Sequence, residues 1–82
     1  MKFNYTDHAE ENIKERKLNK KIIENILKHP NKIAEGRFGR KIAQKIVGEK
    51  LLRIIYEEND NVYIIVTAYY TKSERYSKEI WK

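Results

Sequence analysis

Cysteine is absent from this chain, so no disulfide and no thiolate-held metal can reinforce the fold. That absence suits a reducing compartment. Two histidines without a His-x-x-x-His spacing give no zinc signature, and no metal or other cofactor is expected. No apolar run approaches the roughly 18 residues of a membrane span. The opening Met1-Lys2-Phe3-Asn4-Tyr5-Thr6 leads into polar sequence rather than a signal peptide. A soluble cytoplasmic protein without a membrane partner is expected. There is no Gly-x-x-x-x-Gly-Lys loop and no Gly-x-Gly-x-x-Gly, and Gly36-Arg37-Phe38-Gly39-Arg40 is too short and wrongly placed for a nucleotide cradle. No serine sits in a nucleophile elbow. Repeats, low-complexity tracts and linkers are missing too. The 82 residues are expected to form one domain, 1–82, with a thin core and a small stability margin.

What the chain does have is positive charge, +6 in all. It is unevenly placed. Between Arg37 and Arg53 six basic residues (Arg37, Arg40, Lys41, Lys45, Lys50, Arg53) stand against one acid, Glu49. From Asp7 to Lys28 six basic residues nearly balance five acids. A concentrated basic field draws polyanions and speeds their encounter, which points to nucleic acid.

The patterning predicts an α+β domain, with two N-terminal helices packed on one face of a curved antiparallel sheet of three to four strands. Lys2 to Tyr5 reads as a short edge strand. Asp7, with Glu10 three residues on, starts a helix to about Lys17. Asn19 caps a second helix that ends at His29-Pro30. Its Ile22, Ile23, Ile26 and Leu27 form an apolar stripe. Gly36 and Gly39 punctuate a turn-rich stretch. Strands follow over Lys41–Val47, Lys50–Glu57 and Val62–Thr71, with bends at Gly48 and Asn59-Asp60-Asn61.

Three-residue loops at both bends would sort the faces most cleanly. Leu52, Ile54 and Tyr56 would then share the core face with Val62, Ile64, Val66 and Ala68. The opposite face would carry Arg53, Tyr63, Thr67 and Tyr69. Lys45 would pair with Arg53, so that Lys45, Arg53 and Thr67 form a row across three strands. Ile42 and Ile46 would face the core, with Gln44 as the one polar misfit. Such a row suits phosphate: Arg offers a planar fork, Lys a point charge and Thr a hydrogen bond. His8, Asn12 and Arg16 recur at i, i+4 and i+8 and share a helical face. Histidine titrates near neutral pH and is a natural general acid or base. Tyr69, Arg75 and Tyr76 are suited to stack on unpaired bases or hold phosphates. Arg37 and Arg40 of the basic segment complete the candidate RNA-binding set. His29 is read as structural, and Trp81 as a packing or partner-contact residue.

In order along the chain, Thr6-Asp7-His8-Ala9, Glu15-Arg16, the Ile22-to-Pro30 helix, Leu52-Arg53-Ile54-Ile55-Tyr56, Ile65-Val66-Thr67-Ala68-Tyr69 and Arg75-Tyr76 resemble small domains of the RelE/ParE toxin superfamily, near the BrnT-type toxins. The resemblance implies a barnase–EndoU–colicin–RelE fold and a metal-independent endoribonuclease paired with a cognate antitoxin. It implies RNA as substrate, whether free or on the ribosome. The chemistry would be attack by a ribose 2′-hydroxyl on the adjacent phosphate, with His8 as acid or base. Arg53 and Lys45 would stabilise the phosphate with support from Arg16, and Thr67, Arg75 and Tyr76 would position the RNA. The superfamily also contains topoisomerase inhibitors, so a non-catalytic module binding nucleic acid or protein through the same basic face is the alternative expectation.

Overall fold

A computed structural model describes residues 2–72. The elements run β1 (Lys2–Tyr5), α1 (Asp7–Glu15), α2 (Lys20–Lys28), β2 (Lys32–Glu35), a single 3-10 turn (Arg37–Gly39), β3 (Lys41–Val47), β4 (Lys50–Asn59) and β5 (Val62–Lys72). The sheet order is β1-β5-β4-β3-β2. The class is α+β as the pattern predicts, but the sheet has five strands and is mixed. β1 runs parallel to β5 while the other three pairs are antiparallel. β2 lies in the stretch read as turns. Its four residues, Lys-Ile-Ala-Glu, are too few to establish an alternation by themselves.

Local chemistry sets the helix ends. Thr6, rather than Asp7, caps α1: its hydroxyl accepts from the Ala9 amide. At the other end Lys17 takes a left-handed φ of 54°, and the Leu18 amide reaches back to the Ile13 carbonyl at 2.9 Å. This closes a Schellman turn with Ile13 and Leu18 as its apolar pair. Asn19 caps α2 through the Lys21 amide, as the sequence suggests.

Both helices bury their apolar stripes against one face of the sheet. Ala9 and Ile13 from α1 and Ile23, Ile26 and Leu27 from α2 meet Ala43, Leu52, Ile54, Tyr56, Ile65 and Ala68. Ile22 is the member of the expected stripe that stays partly exposed. Along one cross-strand row, Ile54 is flanked by Ala43 and Ala68. These small side chains leave room for α2 over β3 and α1 over β5.

The register differs from the three-residue-loop reading. Val47 pairs with Lys50 and Asn59 with Val62, so both loops have two residues. Gly48, Asp60 and Asn61 take the positive φ values that such loops require. The β3–β4 register therefore pairs Gln44, not Lys45, with Arg53. Ile42, Gln44 and Ile46 turn away from the helices, and Lys45 turns toward them. Between β4 and β5 a bulge at Ile55/Tyr56 adds one residue to β5. Before the bulge, Tyr63 and Ile65 join the core in place of Val62 and Ile64. After it, the shorter loop and the extra residue together shift the register by two, which restores the faces. Arg53 then stands opposite Tyr69 rather than Thr67, so the expected Lys45–Arg53–Thr67 row does not form. Thr67 and Tyr69 still share the far face with Arg53, as expected.

Two phenols, the half-buried Tyr5 and the buried Tyr56, add a pH dependence. Burial, a 2.6 Å hydrogen bond to Glu24 and the Glu24 and Glu10 carboxylates push Tyr5 well above the usual phenol range. Burial, then Tyr63, Glu58 and Glu35, push Tyr56 up to about 12. Raised folded-state pKa values mean that the unfolded chain ionises first as pH rises. The stability Tyr56 contributes is intact below about pH 10 and is lost on the way to about pH 12, and the loss from Tyr5 starts at the same pH and extends higher. Alkaline unfolding followed by circular dichroism, with phenolate absorbance in parallel, should show Tyr5 and Tyr56 ionising only as the fold is lost.

Candidate functional site

The far face of the sheet carries two adjacent cross-strand rows. One reads Lys32, Gln44, Arg53, Tyr69; the other Ala34, Ile42, Ile55, Thr67. In the first row Gln44 is 1% exposed and its Oε1 has no hydrogen-bond partner among the described residues. An unmet buried acceptor costs about 1–3 kcal/mol. Beside it, Arg53 is half-buried and donates through one guanidinium nitrogen to the Tyr69 hydroxyl oxygen at 2.8 Å. The Tyr69 oxygen serves as acceptor there, so its own O–H is directed elsewhere.

Helix α1 meets this face at the free edge of β5. β1 pairs only with residues Val62 to Ile65 of β5. Beyond that point the polar stripe of α1 takes its place. The Thr6 hydroxyl donates to the Val66 carbonyl at 3.1 Å, and Arg16 donates to the Ala68 carbonyl at 2.8 Å. Asn12, only 5% exposed, donates to the Thr67 hydroxyl oxygen at 2.8 Å and to the His8 carbonyl at 3.0 Å. His8 begins the stripe, with its side chain exposed.

The expected set is therefore partly assembled. Arg53, Thr67 and Tyr69 share one face, and the His8–Asn12–Arg16 stripe docks against its edge. Lys45 does not join them. It lies on the helix side, where its ammonium donates to the His29 carbonyl at 3.3 Å. That contact neutralises orphan carbonyl charge at the end of α2. Arg16 is committed to a backbone carbonyl and positions α1. Arg75, Tyr76 and Trp81 lie outside the described residues.

Arg37 and Arg40 sit elsewhere on the same face, at a pocket of ≈ 550 Å³ under the β2–β3 hairpin. Ile42 and Ile55 are among its lining residues, and Arg40 approaches the Glu57 carboxylate at 3.4 Å. Phe38 is 88% exposed at the mouth and has φ 59°, ψ 38°. With Gly39 at φ 74° it forms the tip of a turn in which both central residues are left-handed. Such turns favour Asn, Asp or Gly, and a left-handed bulky residue costs about 1–2 kcal/mol. The other such turn in the sheet uses Asp60-Asn61. Phe38→Asn should accordingly stabilise the domain by about 1 kcal/mol and raise Tm by roughly 5 °C in thermal unfolding.

Sequence reasoning missed Asn12, Gln44 and Phe38 as site residues. Each had a signal. Asn12 is a poor helix former inside a helix, Gln44 breaks an apolar strand, and Phe38 is an aromatic between two glycines and two arginines. Asn12→Ala should cost about 1–3 kcal/mol in urea unfolding, because it removes the hydrogen bond that ties α1 to Thr67 of β5 and a second one to the His8 carbonyl within the helix.

Among the described residues no three His, Asp or Glu side chains gather where they would hold a metal ion. No helix among them is long and apolar enough to cross a membrane. A family model described as a domain of unknown function, DUF4258, matches residues 5–70. No curated protein and no solved structure matches the chain.

Proposed function

We propose that this chain, which belongs to the DUF4258 family of domains, is an RNA-cutting domain of the RelE/ParE type and the toxin of a toxin–antitoxin pair. One observation carries the reading: Arg53, bound to Tyr69 in a half-buried row, shares a face with Thr67, and the His8-bearing stripe of α1 docks beside it. A partly desolvated guanidinium, held in place before substrate arrives, is suited to charge that develops on a phosphate. In this scheme the 2′-hydroxyl of a ribose attacks the adjacent phosphorus. Its proton leaves to a base, the bond to the 5′-oxygen breaks, and an acid protonates that oxygen. The products are a 2′,3′-cyclic phosphate and a 5′-hydroxyl end. His8 transfers a proton, Arg53 and the Tyr69 O–H hold the phosphate oxygens, and Thr67 fixes the strand edge. Lys45, expected at the phosphate, has no part in it.

The Ala34–Ile42–Ile55 row favours a second reading, since apolar surface on a working face also suits a protein. That protein would be an antitoxin, or the target of a non-catalytic, topoisomerase-inhibiting module. Incubating purified protein with total RNA, then mapping cyclic-phosphate ends, separates the two. Cuts that vanish in His8→Ala and Arg53→Ala support the nuclease. Intact RNA together with growth arrest on expression would move the assignment to the binding module.

A further inference from the structure

The hairpin pocket shares the far face with Arg53 but belongs to none of the catalytic steps above. Ile55, on its floor, stands two residues from Arg53 on β4, about 7 Å along the strand. We propose that this pocket is a nucleobase subsite, taking one unpaired base of single-stranded RNA beside the phosphate held at Arg53; it rests on the RNA-cutting reading of that face.

Four features support the assignment. The volume of ≈ 550 Å³ lies in the range of small-molecule sites. Its lining combines an apolar floor, Ile42 and Ile55, with the Phe38 ring at the mouth. Bases are flat and stack on aromatic faces whatever their sequence. At the rim Arg37 and Arg40 match the phosphates that flank a bound base, and the Glu35 carboxylate is an acceptor for ring or exocyclic N–H groups. Finally, Phe38 combines an exposed ring with a left-handed backbone, and neither helps the fold. A side chain kept in that state is displayed for contact. A paired base cannot enter, because its faces are covered by its neighbours in the stack. The subsite therefore selects single strands. The net charge of +6 favours a polyanion over an acceptor-poor apolar peptide as occupant.

The Phe38 ring and the Ile42 and Ile55 methyl resonances report on the pocket directly. Nucleoside monophosphates of the four bases, with inorganic phosphate as control, are the probes. Nucleotides should shift these resonances and phosphate alone should not. Phe38→Trp should keep the effect. Phe38→Asn, which suits the turn and so protects the fold, should abolish it. The same variant should weaken binding of a single-stranded RNA oligomer about tenfold and leave duplex RNA unchanged. Pocket resonances that ignore every nucleotide, or that move only with a peptide, would overturn the subsite. So would single-stranded RNA that binds Phe38→Asn and wild type equally. RNA cut by wild type and Phe38→Asn alike, with pocket resonances unmoved, removes the subsite and leaves the nuclease. Nucleotides seated in the pocket of a protein that cuts no RNA keep the subsite and remove the nuclease.

Discussion

Arg53→Ala should lower RNA cleavage by about 10²–10³-fold while Lys45→Ala leaves it near wild type. The contrast comes from the register. Both residues are cations in the same basic segment, and a three-residue loop at Gly48 would have set them side by side. The two-residue loop separates them. Arg53 lies in the far-face row against Tyr69, and Lys45 lies on the helix side against the His29 carbonyl. Removing Arg53 takes away a donor fixed before substrate arrives and strands the Tyr69 hydroxyl. Removing Lys45 affects only the end of α2. Arg53→Lys keeps the charge but loses the fork, and it should recover only part of the rate. Initial rates on a short RNA, measured with each variant's Tm as a folding control, check this. Equal losses in Arg53→Ala and Lys45→Ala would show that bulk charge, not the row, does the work. The salt slope of RNA binding should also fall by about one in Arg53→Ala if the guanidinium contacts a phosphate.

Ile54→Ala is expected to be a strongly damaging truncation in the core, at about 2–5 kcal/mol. Domains of this size have only roughly 4–12 kcal/mol of stability in total, so the loss should lower Tm by tens of degrees or abolish folding at growth temperature. Ile54 is fully buried on the central strand, in one core cluster with residues of both helices and between Ala43 and Ala68. Neither alanine has reach to fill the hole. Ile33 lies at the end of the same row on the edge strand and is 48% exposed. Ile33→Ala should cost about 1 kcal/mol or less, since about half of its surface never leaves water. Urea denaturation of both variants compares a central and an edge position of one row.

How far the sequence could be read depended on the range of the physics involved. The Asn19 cap and the α2 stop at His29-Pro30 are local, and they stand as the residues suggest. The strands Lys2–Tyr5 and Lys41–Val47 also lie where local pattern puts them. β2 was illegible because four residues between a proline and a glycine carry too little alternation to outweigh their turn-like flanks. The candidate site was half legible. Arg53, Thr67 and Tyr69 were rightly grouped, but through two offsetting errors: the β4–β5 loop is one residue shorter than the patterning favoured, and the bulge at Ile55/Tyr56 restores the parity. Nothing compensates between β3 and β4, so Lys45 and Gln44 exchange faces.

By itself the sequence determined the α+β class, the identity of the apolar stripes and the concentration of positive charge between Arg37 and Arg53. Periodicity and composition need no partner to be read. Only the tertiary structure decided which cations share a face, because a strand's faces swap with every one-residue step. Loop length and a bulge set that step, and both are fixed by pairing across the sheet. It also decided that β1 stops at Tyr5 and that α1 completes the edge of β5 through Thr6, Asn12 and Arg16. Those bonds join residues more than fifty positions apart, and no local pattern encodes them.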